Sequence, residues 1–412
     1  MTNKSFAPPA STAAQVFAIA LALLFSFSAA VAQAGETVIH RFNKTQGSGP
    51  LSGLTSDSAG NLYGTTYSGG AANCGTVFEL SPSSGGTWTE AVLYSFTGCT
   101  QVTQTPRGTL AIDKTGNLFG VLQGYFTSGL IFELLKGANG TWSYTVVHNF
   151  GSNEGDPNVD LTWDSAGNLY GTTSLDSTGF DGEAFELSSQ PGGSWKETVL
   201  YSFNYSNAVS GPNAGVIFDS KGNLYGPYFG GSAGFGGVYE LSPQANGTWM
   251  LTVVYNFTSA TGGGPYSKLT FDTSGNLYGT ANQAGPLFVG EVFKLTPTPN
   301  GQWTETTIHT FNSGNDGAYP QGTLVFDASG NLYGTTLDGG LGCNQSLCGT
   351  VFKLTPRSNG TWKETILHQF ESAEDGSEPQ AGLLLDSSGN LYGTTSVGGG
   401  RYGYGTVFEI TP

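Results

Sequence analysis

Four histidines, thirty carboxylates and four cysteines are the residues of this 412-residue chain that could carry acid–base, metal or redox chemistry. His40, His148, His309 and His368 share one place in a repeated segment, where other copies carry Tyr94, Tyr201 and Tyr255. A general base is normally unique and does not exchange with tyrosine around a repeat, so these residues read as packing groups with a polar tip. That removes a Ser-His-Asp arrangement as well.

The carboxylates sort by the same test. Asp57, Asp113, Asp164, Asp219, Asp272, Asp327 and Asp386 hold one recurring turn. Glu79, Glu133, Glu186, Glu240 and Glu409 share a second position, and Glu36, Glu90, Glu197, Glu305 and Glu364 a third. These 17 of the 30 acids belong to the repeat and read as structural, and a strand-c Glu beside a strand-d residue of opposite charge would be a surface pair of little worth. Thirteen acids remain: Glu154, Asp156, Asp160, Asp176, Asp181, Glu183, Glu291, Asp316, Asp338, Glu371, Glu374, Asp375 and Glu378. Aromatic residues fall in the same loops, among them Tyr67, Tyr125, Phe126, Phe180, Tyr228, Phe229, Phe235, Tyr319, Tyr402 and Tyr404. Acids beside exposed aromatics suit a sugar- or cation-binding face. The ligand-binding candidates are therefore Asp156, Asp181, Asp316, Asp338 and Asp375, with Tyr228, Tyr319 and Tyr402. The alternative is a solvated acidic surface. A carboxylate pair for glycoside hydrolysis could be drawn from these loops, but no spacing singles one out. With no Asp-x-Asp-x-Asp run and no Cys-x-x-Cys, neither metal, cofactor nor catalytic residue is expected.

These residues are positioned by a repeat. Gly-Asn-Leu-Tyr, once with Phe, starts at Gly60, Gly116, Gly167, Gly222, Gly275, Gly330 and Gly389, each three residues after its Asp. Every unit reads as four strands with period-two alternation and β-branched or aromatic enrichment. In one copy, strand a is 322–327, strand b 331–336, strand c 349–354 and strand d 362–370. Asp-x-x-Gly makes the a–b turn. Asn-Gly before Trp142, Trp249 and Trp362 makes the c–d hairpin. Asn-Gly-Thr there also matches a glycosylation acceptor, but its fixed place in the repeat favours the turn.

Seven four-stranded units predict an all-β, seven-bladed propeller. The last unit stops after strand c. Residues 36–42, Glu-Thr-Val-Ile-His-Arg-Phe, match strand d at 364–370, Glu-Thr-Ile-Leu-His-Gln-Phe. The N-terminal strand is thus expected to complete the last blade, 379–412 plus 36–42, and close the ring without free sheet edges. Loops b–c and d–a then share one face. Cys74 and Cys99 fall together on it, and Cys343 and Cys348 lie in one b–c loop, so two disulfides are expected, Cys74–Cys99 and Cys343–Cys348.

A net charge of −16 with 14 Lys and Arg argues against nucleic acid or an anionic membrane as partner. The apolar run from Ala13 to Ala32 ends in Ala32-Gln33-Ala34, which reads as a cleaved signal peptide over 1–34 rather than a retained anchor. A single domain over 35–412 follows, expected to be monomeric, secreted or periplasmic, and without a membrane span after cleavage.

The tandem unit Asp-x-x-Gly-Asn-Leu-Tyr-Gly-Thr-Thr…Gly-Thr-Val-Phe-Glu-Leu, followed by Trp-x-Glu-Thr-x-Leu-(Tyr/His)-x-Phe, resembles the GloVer tandem-repeat proteins of bacteria over essentially all of 36–412. Those proteins carry the label "choice-of-anchor" because their C-terminal sorting signals vary. This chain stops at Pro412 just after strand c, so release rather than C-terminal attachment is expected. The resemblance implies no established activity and no catalytic residues. The turn is also similar to that of NHL-type and streptogramin-lyase-like propellers, but the loop histidine of the latter has no counterpart here. The sequence thus favours a binding module for carbohydrate or a cell-surface partner. A polysaccharide lyase or hydrolase and a structural scaffold are the alternatives.

Overall fold

The turn motif folds alike in every copy because one carboxylate organises it. In the computed structural model, Asp327 Oδ1 accepts the N–H groups of Ser329 and Asn331 at 2.9 Å each. Its Oδ2 accepts Asn331 Nδ2 at 2.6 Å and the Tyr333 hydroxyl at 3.0 Å. Tyr63 and Tyr278 repeat the last contact with Asp57 and Asp272 at 3.0 and 3.1 Å. Where Phe119 replaces tyrosine, Thr115 Oγ1 donates to Asp113 instead, at 2.8 Å. Burial raises these turn carboxyls, but the converging donors outweigh it and hold Asp57, Asp164, Asp272 and Asp327 below the usual range. The Asn359 side chain holds the c–d turn by accepting from Thr361 N and Oγ1 at 3.1 and 2.7 Å.

The structure describes residues 34–412 except 100–103, 125–128, 152–153, 159, 175–180, 205–208, 231–233, 259–262, 341–347 and 372–373. The described residues form seven antiparallel sheets in the order a-b-c-d, a seven-bladed propeller. Blade 1 is Thr55–Ser56, Leu62–Thr66, Thr76–Pro82 and Trp88–Ser95. Blade 7 is Leu384–Leu385, Leu391–Thr395, Thr406–Thr411 and, as its fourth strand, Gly35–Arg41. Val38 pairs with Phe408 in that sheet, so the N-terminal strand closes the ring.

Two features explain the repeat's letters. The glycine after Leu-Tyr lies opposite the aromatic residue of strand c, as Gly334 does Phe352. A Cβ on Gly334 would stand 2.6 Å from Phe352 Cζ, so the ring lies flat over a position that must stay bare. The fourth strand carries one extra residue in every blade, a β-bulge, at Leu93 between the pairs Val77–Tyr94 and Phe78–Val92, for example.

Neighbouring blades are joined in one recurring pattern. The Trp that begins strand d meets the strand-b Tyr of the preceding blade edge to face: Tyr63–Trp142 at 6.3 Å, Tyr278–Trp362 at 6.2 Å and, across the closure, Tyr392–Trp88 at 5.9 Å. Thr394 Oγ1 donates to Ser52 O at 2.9 Å, as Thr335 does to Ala381 O in the preceding interface. One core cluster contains Phe42, Leu54, Phe78, Tyr392 and Val407, residues from both ends of the chain.

Cys74 and Cys99 form a disulfide with Cα atoms 5.6 Å apart. Cys348 is buried and disulfide-bonded, while Cys343, the partner that the spacing names, lies outside the described residues. No helix among the described residues is long and apolar enough to cross a membrane.

Candidate ligand site at the axis

Strand a of each blade begins near a proline placed seven residues before the turn Asp, from Pro50 to Pro379. Two columns that follow it vary while their surroundings repeat. The first is Leu51, Arg107, Asn158, Asn213, Tyr266, Gln321 and Gln380. The second is Gly53, Thr109, Asp160, Gly215, Lys268, Thr323 and Gly382. The fold places these innermost strands around the axis, and most of both columns lines one polar cavity of about 260 Å³ there. Close convergence needs small residues: a Cβ on Gly53 would stand 2.7 Å from Thr109 Oγ1 of the next blade.

Two basic residues and one acid line the cavity, and each base has a carboxylate near it. Lys268 lies by Asp160; burial lowers its ammonium and the carboxylate opposes that shift. Arg107 lies over the Tyr67 ring at 5.0 Å and near Asp156. Burial pushes Asp156 up to about 6, against the N–H groups of Gly124 and Gly129 and the Arg107 charge. Asn213 Nδ2 donates to Pro265 O of the next blade at 2.8 Å, which fixes its carboxamide at the rim. Tyr266 is 38% exposed, with Phe229 tilted against it at 5.9 Å. Just before the prolines, Tyr319 and Glu378 hold φ of 55° and 57°, where Gly211 and Gly264 serve in other blades. Strained non-glycine backbone of this kind concentrates at functional rims.

The eight ligand candidates do not converge. Tyr319 precedes Pro320 and donates its N–H to Val289 O at 2.6 Å, and Asp156 lies near Arg107. Asp316 and Asp375 lie between blades, bonded to His309 and His368 at 3.2 and 2.9 Å. The Asp338 carboxylate accepts the N–H of Gly339 at 2.6 Å, and Asp181 contributes its carbonyl to Gly211 N at 3.0 Å. Tyr402 is 68% exposed and stacks on Tyr404 at 5.9 Å. Tyr228 sits in the core, 1% exposed and bonded to Asn256, and offers a ligand no surface. The loop residues Tyr125, Phe126, Asp176 and Phe180 lie outside the described residues.

The structure adds detail to the repeat's ionisable residues. The histidines are not only packing residues, since His148, His309 and His368 each face carboxylates. Of the strand-d glutamates that the repeat accounts for, Glu197 and Glu364 are half-buried between blades, and burial raises them to about 7 and about 9. Among the axial lining residues, only Asp160 was among the acids singled out by sequence. The signal for the others was present as variable columns after an invariant proline.

Residues 12–226 and 156–408 match the Gloeobacter/Verrucomicrobia repeat. The chain belongs to that family. No curated protein matches this repeat protein. Among solved structures it is similar to an ancestral GH74 enzyme, at 13% identity and TM-score 0.57, over 92% of this chain and 51% of that one. It is also similar to the extracellular domain of a candidate hybrid two-component system from B. thetaiotaomicron, at 15% identity and TM-score 0.54, over 88% and 40%. The repeat protein therefore spans about half or less of each of these neighbours, and the likeness is one of fold.

Proposed function

We propose that this repeat protein is an exported binding module that holds a neutral, polyhydroxylated ligand, the end of an oligosaccharide, at its axial cavity. The observation that carries this reading is that two columns whose residues change from blade to blade, next to a proline that does not, line that cavity. Carboxamides, hydroxyls and a lysine held beside a carboxylate match a ligand rich in vicinal hydroxyls. The partly exposed Tyr266 ring supplies an apolar face for a sugar. Export through a leader at 1–34, with 35–412 as the mature ring, is supported by the Cys74–Cys99 disulfide, since such bonds persist in oxidising compartments.

The test is calorimetry of the mature protein against a panel of plant and microbial oligosaccharides. Saturable binding to at least one is expected, weakened ~10-fold or more by Tyr266→Ala and by Gln380→Ala, a loss of about 1.4 kcal/mol. Tyr402→Ala should leave it unchanged. New reducing ends or unsaturated products would make the module an enzyme instead, and binding unaffected by both axial variants would remove the axial site.

A further inference from the structure

A second group of side chains has nothing to do with the axis. Where blade 2 meets blade 3, His148 from the fourth strand of blade 2 (Trp142–Asn149) approaches Glu197 from the fourth strand of blade 3 (Trp195–Ser202). His148 Nε2 lies 3.4 Å from Glu197 Oε2 and 3.8 Å from Glu154 Oε2 of the intervening loop. One ligand atom from each of the three lies within 4.8 Å of the other two. Glu183, which opens the third strand of blade 3 (Glu183–Ser189), adds its charge from behind. It is 4% exposed, and its Oε1 has no hydrogen-bond partner. Glu197 Oε1 and His148 Nε2 are also buried without one. Three carboxylates and an imidazole thus meet in a partly dry junction, where Glu154 Oε2 accepts the Gly151 N–H but Glu183 and Glu197 each keep an unpartnered oxygen, an arrangement that costs several kcal/mol unless a cation or protons fill it.

The sister junction of blades 5 and 6 shows what a filled version looks like. There His309, Asp316 and Glu364 occupy the equivalent places. Asp316 accepts from His309 Nε2, from Asn312 N and from Asn312 Nδ2, and shares a hydrogen bond with Glu364. The position of Glu183 is taken by Thr350, whose hydroxyl bonds Thr336 at 2.9 Å. Local donors settle Asp316 there, while Glu364 Oε1 lacks a partner as Glu197 Oε1 does. The junction of blades 2 and 3 differs in carrying Glu183, a third carboxylate with a buried and unpartnered oxygen.

We propose that the junction of blades 2 and 3 is a divalent-cation site, with His148 Nε2 and the carboxylates of Glu154 and Glu197 as ligands and Glu183 adding charge behind them. Metal–ligand bonds of about 2.0–2.2 Å on a tetrahedral centre set neighbouring ligand atoms about 3.3 Å apart, so the observed separations need only a small closure. An imidazole among carboxylates suits Zn²⁺ first and Mn²⁺ next, whereas Mg²⁺ and Ca²⁺ take all-oxygen sets. The cation would clamp two blades at a place where the junction of blades 1 and 2 stacks Tyr94 on Tyr144 and that of blades 7 and 1 bonds Gln46 to Glu90.

The experiment is calorimetric titration of the whole chain, stripped with EDTA, with ZnCl₂. One site per chain is expected, with thermal unfolding shifted upward by the metal. Glu154→Gln, which keeps an acceptor for the Gly151 N–H and removes one of the crowded charges, should weaken Zn²⁺ at least ~10-fold without lowering the metal-free melting temperature. His148→Gln should weaken it by as much or more, and Glu364→Gln at the sister junction should not. The absence of saturable Zn²⁺ binding, or equal affinity in the Glu154→Gln and Glu183→Gln variants, would overturn the site. Mg²⁺ or Ca²⁺ binding as tight as Zn²⁺ would overturn ligation by the imidazole. None of these outcomes bears on the axial ligand.

Discussion

At the scale of single residues, the junction of blades 5 and 6 makes the stability of the ring depend on pH in an unusual direction. Glu364 faces His309 and Asp316, and burial together with the Asp316 hydrogen bond and charge raises it to about 9. A carboxyl raised in the folded state binds its proton more tightly there than in the unfolded chain. Its contribution is complete below about 4.5, the ordinary glutamate value, and is lost as pH rises through about 9. Wild-type protein should therefore lose ~1 kcal/mol or more between pH 6 and pH 10 at this junction. Glu364→Gln keeps a hydrogen-bond donor and removes the titration, so its melting temperature should fall less steeply over that range while matching wild type near pH 6. Parallel slopes for the two proteins above pH 8 would show that the shared proton is not held there. The sequence marked both residues but assigned each to its own strand. That a d-strand His of one blade meets a d-strand Glu of the next depends on the angle between sheets, which no spacing along the chain records.

At the scale of the strand pair, the repeat's glycine is there for the ring opposite it. Gly334 and Phe352 are directly paired, and a Cβ would also stand 2.8 Å from Leu324 Cδ2. Phe352 is fully buried, so neither neighbour has room to withdraw. Gly334→Ala should cost ~1–3 kcal/mol through overpacking, without loss of a hydrogen bond. Combining it with Phe352→Leu should recover part of that cost. Denaturant melts of the three variants measure this, and a double variant no better than the sum of the singles would show that the ring is not the obstacle. Strands, turns and blade count were legible because each rests on local chemistry repeated seven times, such as the Asp327 turn. The bulge at Leu93 was not legible, because an extra apolar residue in an alternating run looks the same as a continued run. The candidate axial residues were hidden for a related reason. Strand a is only two residues long in blades such as the first, Thr55–Ser56, and the residues lining the cavity precede it in what reads as loop.

At the scale of the whole molecule, closure is a single strand's work. The backbone contacts that Gly35–Arg41 and Phe42 make are those of the fourth strand in every other blade: Val38 pairs with Phe408 and Phe42 N donates to Gly405 O at 3.1 Å, to which Arg41 adds a bond to Glu374 O at 3.0 Å. Removing 34–42 would leave Thr406–Thr411 as an unpaired edge and uncover the buried Val407 and Phe408. It would also strip one side of the cluster that holds Leu54 and Phe78 in blade 1. A ring differs from a linear array here, because a solenoid that loses its end strand keeps its remaining interfaces, whereas this ring loses the junction that fixes the axis. The truncated protein should therefore melt at least ~10 °C lower and self-associate through the exposed edge. A circular permutant that carries 34–42 after Pro412 should restore the melting temperature, since the strand would reach the same place in blade 7 from the other side. The permutant also separates topology from composition. If both proteins melted together well below wild type, covalent order would matter more than the paired strand, and a truncation as stable as wild type would mean that the seven blades hold their circle without it.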